Sequence, residues 1–477
     1  MGTLSRTRAT LLVAMVVVAL GLVVVVQLWP GLVGLERKTS APERDGVPLP
    51  RNERGPGPDE VPRSRTRERR ETRRHPRTRR SADTKTPRRR SRRQRDSKLG
   101  KLLDEGIQGP RPACDRRPFT ASNRACLPVI DSHTHISPLY RPVRTAIEIF
   151  RRTGVVKFVN KSGGRYGSPR YKAHIAVQRA LGWDRFAFFI NLDWRGVNKP
   201  GWGEREAKNL ALAVREGAVG VKIFKTLGLG VEDEKGKLLP VDDPKLFPIW
   251  KKAGEIGAIV ALHTGDPKAF FEKPGPTNER NDELTKAPSW SFYGPKFPKR
   301  ETLLAQRDHV LQLFPKTTFL GIHLGNNPED IDYVARTLER YPNFYVDVAA
   351  RLGEIGRHPP AKVRRLFERF PTRILFGTDI FVTSRGYQLG SVSKTKPLFE
   401  DAIAFYRAHW HYFESSDRQI AHPTPIQGKW KIDAVGLPRP LLQAFYYDNA
   451  WKLIFVPQIA RRKRWGDYQR YRLGIVP

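Results

Sequence analysis

The sequence predicts an α/β protein, a (β/α)8 TIM barrel preceded by an N-terminal transmembrane helix and a disordered basic linker. Three observations carry that expectation. After Cys126, eight short β-rich runs alternate with helical stretches, the pattern of parallel βαβ units, which close into a barrel at eight. Before them, Leu11 to Leu28 runs without a charge. Between the two, Ser40 to Ser97 contains almost nothing large and apolar.

The 477 residues carry 86 Lys and Arg against 48 Asp and Glu, a formal charge of +38. Hydrophobic residues make up 39% of the chain, which excludes a wholly disordered, collagenous or polytopic membrane protein. Cys114 and Cys126 are too few for a disulfide scaffold or a Cys-based zinc site. One bridge between them is an option, and two thiols are the other.

Residues 1–30 read as a signal-anchor. Leu11 to Leu28 (LLVAMVVVALGLVVVVQL) follows Arg6 and Arg8 and precedes Trp29 and Pro30, and it is long enough to span a hydrocarbon core. A cleaved signal peptide is the alternative. The nearest small-residue site, Thr39-Ser40-Ala41, is distant and is followed by Pro42. Arg37, Lys38 and Arg44 nearly balance Arg6 and Arg8 across the span, and we expect a membrane-anchored protein whose barrel is on the exported side, periplasmic or extracellular. Residues 31–100 form the linker. Segments such as Arg88-Arg89-Arg90-Ser91-Arg92-Arg93 would hold anionic lipid, nucleic acid or acidic polymer without sequence specificity, so residues 51–100 are a candidate polyanion contact. A solvated spacer has the same composition.

The barrel domain is expected over residues 101–477. Its strand runs are Pro128 to Ile136, Val155 to Asn160, Arg185 to Trp194, Ala218 to Lys225, Ala258 to Thr264, Thr317 to Leu324, Asn343 to Ala349 and Arg373 to Asp379. The rhythm breaks once, after the fifth run. The Pro- and aromatic-rich stretch 266–300 is too long for an ordinary connection and reads as a lid loop. A C-terminal helix is expected over 438–456, and 391–438 is an insertion to which the sequence assigns no function.

Reactive side chains of such a barrel sit at the C-terminal strand ends. His133 and His135 end the first run, His263 the fifth, His323 the sixth and Asp379 the eighth. Two residues apart on a strand, His133 and His135 share a face. Imidazoles with one carboxylate are the ligand set of catalytic zinc or a similar divalent ion; a polar plug of the barrel mouth would use the same residue types.

Over Val129 to Phe455 the chain resembles the amidohydrolase superfamily, in its amidohydrolase-related group. That group includes aminocarboxymuconate semialdehyde decarboxylase and pyrone dicarboxylate lactonase. The motifs are VIDSHTHI, HTGDP, GIHLG, FGTD and YYDNAWKLIF. The resemblance implies His133, His135, His263 and Asp379 as ligands of one divalent metal, zinc with iron or manganese as alternatives, and His323 as catalytic or metal-adjacent base. It implies a hydrolase of an amide, ester or lactone bond in a small anionic substrate. Asp379 would accept the proton of an activated water, and His323 would stabilise an oxyanion or act as general acid and base. A metal-dependent decarboxylase of an aromatic or unsaturated acid uses the same ligands. Lys222, in AVGVKIFKTLG, resembles the lysine that bridges two metals in hydantoinase-like relatives and is otherwise a substrate contact. A third reading is a membrane-tethered polyanion-binding protein with an inactive barrel.

Arg351, Lys222 and Asp266 are the candidate substrate contacts; an ion pair of Arg351 with Glu354 is the competing use of that arginine. Arg357, Asn160, Lys161 and Asp193 lie on the same rim. Glu272, Asn278, Glu279 and Arg280 of the long loop either close over substrate or hold the loop in place. Trp290, Phe292 and Tyr293 offer an aromatic wall or pack the loop's own small core, and Lys225 is expected outside the barrel or at the mouth only as the strand ends.

Overall fold

The computed structural model describes residues 110–114, 119 and 122–472. The expected membrane segment and basic linker lie outside them. Among the described residues no helix is long and apolar enough to cross a membrane.

All eight strand runs form strands: β1 (Val129–Ile136), β2 (Val155–Asn160), β3 (Phe186–Asn191), β4 (Gly220–Ile223), β5 (Ile259–Leu262), β6 (Thr318–Gly321), β7 (Phe344–Asp347) and β8 (Ile374–Leu375). Each pairs in parallel with its sequence neighbour in the order β1 to β8, a curled parallel sheet that fits a TIM barrel. Both faces are covered, which is why β1, β2 and β3 are buried at every position instead of at alternate ones.

The eighth run is interrupted. It was expected to continue to Asp379, yet the chain leaves the ladder after Leu375 and resumes as β9 (Ile380–Thr383), which pairs in parallel with β1. The break comes from Asp379, whose φ of 63° cannot be accommodated in a strand. Two bonds tie the interruption to β1: the Ser132 N–H to the Phe376 carbonyl at 3.0 Å and the Asp379 N–H to the His133 carbonyl at 2.8 Å. β9 then turns back as β10 (Gly386–Leu389) in an antiparallel hairpin that the sequence reading missed.

Helices cover the outside of the sheet. Ser168 caps the helix Pro169–Leu181 by accepting from the Tyr171 N–H, with Pro169 in the first turn where its missing donor costs nothing. Gly154, at φ 92°, ends the helix Tyr140–Thr153 in the left-handed conformation that a Cβ would disfavour. The interior of the sheet is filled by Ile130, Val159, Phe189, Ala261 and Leu320, and Ala450, Ile454 and Phe455 pack against these residues. Those last three belong to a helical run that begins at Arg439 and continues to Arg472. The insertion supplies the helix Phe399–Glu414, packed on the Tyr140–Thr153 helix and the β9–β10 hairpin. Cys114 and Cys126 form a disulfide.

Candidate metal centre

β1 delivers the first two side chains. His133 and His135 emerge on one face with their Nε2 atoms 3.2 Å apart. Asp379 joins them from the break after β8, its Oδ1 standing 3.3 Å from His133 Nε2 and 3.1 Å from His135 Nε2.

The far side of each ring decides which nitrogen is bare. His133 Nδ1 lies 3.0 Å from Asp347 Oδ2. An ionised carboxylate only accepts, so the proton sits on Nδ1 and the Nε2 lone pair faces inward. Burial pushes the Asp347 carboxyl up, but His133 and Lys161 outweigh it and hold the group at about 2, fully ionised at neutral pH. His135 Nδ1 contacts Ser162 Oγ, and burial, against the pull of Asp379, brings its imidazole down to about 4. With His135 carrying its proton on Nδ1 toward Ser162 Oγ, which can accept it, three acceptor atoms converge with no hydrogen between them, an arrangement that costs energy unless a cation lies among them. Metal–nitrogen bonds of about 2.0–2.1 Å imply a tetrahedral edge of about 3.3 Å. The observed sides match it, so these residues fit a divalent ion.

His323 stands at the end of β6 with φ 57°. Its N–H donates to Asp347 Oδ1 at 2.9 Å and its Nδ1 to the Ala349 carbonyl at 2.7 Å. Burial and the neighbouring Arg351 push its imidazole well below the ordinary range. Asp347 thus positions two histidines at once. His133, His323 and Asp347 form a second group of metal-capable atoms beside His133, His135 and Asp379, and His263 belongs to neither. His263 packs edge-on to His323, ring centroids 4.6 Å apart, and its Nε2 faces Asp266 Oδ1 at 3.4 Å.

Backbone strain gathers at this mouth. Among the described residues six non-glycine positions have positive φ, and five of them, His323, Leu324, Asn326, Ala350 and Asp379, belong to the loops after β6, β7 and β8. Each costs roughly 1–3 kcal/mol and persists only where its surroundings over-determine it.

Beside the histidines lies a polar wall. Lys225, just past the end of β4, takes the second of its two expected places: it is buried at the mouth and bonds Asp266 Oδ2 at 2.6 Å. It reaches inward because Trp290 covers it, the ammonium lying 4.5 Å from that ring's centroid. Arg351 Nη2 is 3.6 Å from Asp266 Oδ1, and Arg351 Nε is buried without a partner among the described residues. Burial pushes the Asp266 carboxyl up, and Lys225, His263 and Arg351 together bring it down to about 2. Lys225, His263, Asp266, His323, Arg351 and Asp379 line one pocket with about 40 Å³ free, space for a water or two.

Other expected contacts stand around this pocket. Lys222 is buried with its Nζ 4.7 Å from the Phe224 ring centroid, and its charge bears on His135 and His323 from behind the pocket wall. Asn160 ties β1 to the outer layer, accepting from the Ile136 N–H at 2.7 Å and donating to the Ile136 carbonyl and His174. Lys161 is fully buried over Phe189, and Asp193 pairs with Arg165 and Arg195. Glu354 pairs with Arg280 instead of Arg351, and Glu279 pairs with Arg357 at 2.9 Å, so this part of the loop is held in place. Tyr293 is exposed, while Trp290 and Phe292 are buried. Trp430 of the insertion braces the loop from outside, beneath Arg357 at 4.5 Å.

The Amidohydrolase family model matches residues 130–456. The chain belongs to the amidohydrolase family. No curated relative matches at a significant level. Among solved structures, an uncharacterized TIM-barrel protein from Bordetella bronchiseptica is similar at 16% identity and a TM-score of 0.42, covering 70% of this chain and 100% of that one. A 2,6-dihydroxybenzoate decarboxylase from Rhizobium is similar at 14% and 0.39, covering 69% and 99%. A 5-carboxyvanillate decarboxylase from Sphingomonas paucimobilis follows at 11% and 0.33, covering 69% and 99%. These likenesses are too distant to bear on substrate.

Sequence reasoning missed Asp347, Ser162 and Gln388 in this amidohydrolase-family chain. Asp347 is the last residue of β7 but lies two residues inside the expected run Asn343 to Ala349, so its position did not mark it. Gln388 lines the pocket from the missed hairpin, and nothing in the sequence marks it.

Proposed function

We propose that this amidohydrolase-family chain is a metal-dependent hydrolase that cleaves an amide, ester or lactone bond of a small anionic substrate. The observation that carries the proposal is the triangle of His133 Nε2, His135 Nε2 and Asp379 Oδ1, with sides of 3.1–3.3 Å, at the strand ends. A divalent ion held there, zinc or alternatively iron or manganese, supplies a water activated near neutral pH and polarises a carbonyl. The remaining steps fall to the chain's own side chains. Asp379, the partly exposed member of the set at 14%, takes the proton of the attacking water and returns it to the leaving group. His323 has committed its Nδ1 proton to Ala349, so at Nε2 it offers a lone pair and acts as a base, not as a donor to an oxyanion. Arg351, with its unpartnered Nε in the pocket wall, recognises the negative charge of the substrate.

Elemental analysis of the purified full chain tests this, with the His133→Ala/His135→Ala variant beside it. About one zinc, iron or manganese per chain is expected, lost in the variant. A panel of lactones, esters, amides and unsaturated carboxylic acids then reads the reaction, with hydrolysis and no carbon dioxide expected. Failure to take up metal on reconstitution would remove the proposal. Carbon dioxide release would replace hydrolysis by decarboxylation at the same side chains.

A further inference from the structure

At the end of the barrel opposite the metal centre, beside the turns that lead into β4 and β5, lies a pocket of about 310 Å³. Its floor is apolar, made by Ala211, Val214, Ala218, Ile256 and the Trp183 ring. Its rim is cationic, made by Arg461, Arg462 and Arg464 of the C-terminal helix. Arg461 Nη1 donates to the Gly257 carbonyl at 3.0 Å, and the Arg462 guanidinium lies 4.6 Å from the Trp183 ring centroid. Among the described residues, no carboxylate lines the pocket. Of the described acids nearby, Glu216 accepts from the Tyr166 and Tyr171 hydroxyls at 2.9 and 2.8 Å, and Glu255 pairs with Lys252. Burial and the nearby Arg464 push the Arg461 guanidinium down, as expected where cations face one another.

We propose that this pocket binds an anionic amphiphile, with a carboxylate on Arg462 and Arg464 and an apolar chain on the floor. A compact anion would leave the floor unused, and an uncharged chain would leave the guanidinium groups uncompensated. The site is separate from the metal centre and does not depend on the reaction catalysed there.

Calorimetric titration of the full chain with dodecanoate, below its micellar concentration, tests the proposal. Dodecyltrimethylammonium and inorganic phosphate serve as paired probes. Saturable binding of dodecanoate at one site per chain is expected. It weakens about tenfold or more in Arg462→Glu/Arg464→Glu, and by a similar factor in Ala211→Phe, which fills the floor. The Glu double variant, on an exposed rim, keeps the test open if Ala211→Phe does not fold. Anion attraction to residues 51–100 is distinguished because it responds to salt and not to Ala211→Phe. Equal affinity for the cationic amphiphile, equal affinity for phosphate alone, or indifference to the variants would overturn the proposal. So would binding to phosphatidylglycerol vesicles with none to monomeric dodecanoate, which would make the arginines a membrane contact.

Discussion

Buried histidines occupy two regions of this molecule, and their outer nitrogens tell them apart. At the barrel mouth, His133 and His323 direct Nδ1 to partners far along the chain, Asp347 and the Ala349 carbonyl. In the outer helical layer, His174 and His409 direct Nδ1 to the carbonyl four residues back, Arg170 at 2.9 Å and Phe405 at 2.8 Å. A helix can satisfy its own histidine, whereas a histidine at a strand end depends on tertiary structure to fix its tautomer. The first arrangement settles from a distance which ring nitrogen stays bare; the second is settled within one helix.

The sharpest way to break this comparison is to truncate both sets. In His133→Ala/His135→Ala, metal uptake should be lost and turnover should fall by roughly a thousandfold or more, since the activated water goes with the ion. In His409→Ala, turnover per folded chain should hold, while stability falls by about 2–4 kcal/mol from the cavity among Phe376, Phe405 and Tyr406. Denaturant titration and steady-state kinetics on both variants measure this. Similar losses of turnover in the two would erase the distinction.

A smaller effect is expected one shell out. Asp347→Asn keeps the shape but weakens the hold on the His133 tautomer, so metal affinity should drop by about 10–100-fold. Competition with a chelator reads that directly. An unchanged affinity would show that Asp347 serves packing alone.

The sequence made the mouth legible for a physical reason: strand ends are fixed by hydrophobic runs, and His133, His135, His323 and Asp379 sit at those ends. What it could not show was which side chains meet across the mouth. His263 occupies an equivalent strand end, yet Asp266 faces its Nε2, a competition that depends on how a loop folds back. Lys225 was left between the outside of the barrel and its mouth because its inward path is set by Trp290, 65 residues later in the chain. The β9–β10 hairpin escaped because Asp379 breaks the eighth strand with a left-handed φ, and the composition of FGTDIFVT does not distinguish a continuous strand from an interrupted one.

The wall opposite the histidines gives a graded test of substrate charge. Arg351→Met should raise KM by roughly ten- to a hundredfold and leave kcat nearly unchanged, the signature of lost uniform binding. A fall in kcat with KM constant would place Arg351 in the reaction instead.

The least disruptive test uses pH on the packed histidine. Burial pushes the His409 imidazole down to about 4 from 6.5, and the neutral ring is the form the fold accepts. Its folded value is depressed, so its contribution is complete above pH 6.5 and is lost as pH falls from there through about 4. A shift of that size corresponds to about 3 kcal/mol. In His409→Leu the stability difference between pH 7 and pH 4 should shrink by about that amount, because an apolar side chain has no charged form to bury. Its stability at pH 7 should change little, since losing the Nδ1 bond to the Phe405 carbonyl is offset by removing an Nε2 that is buried without a partner among the described residues. If the variant instead kept the full acid sensitivity of the parent, the acid-labile groups would lie at the mouth, and the two regions would not divide their histidines between packing and chemistry.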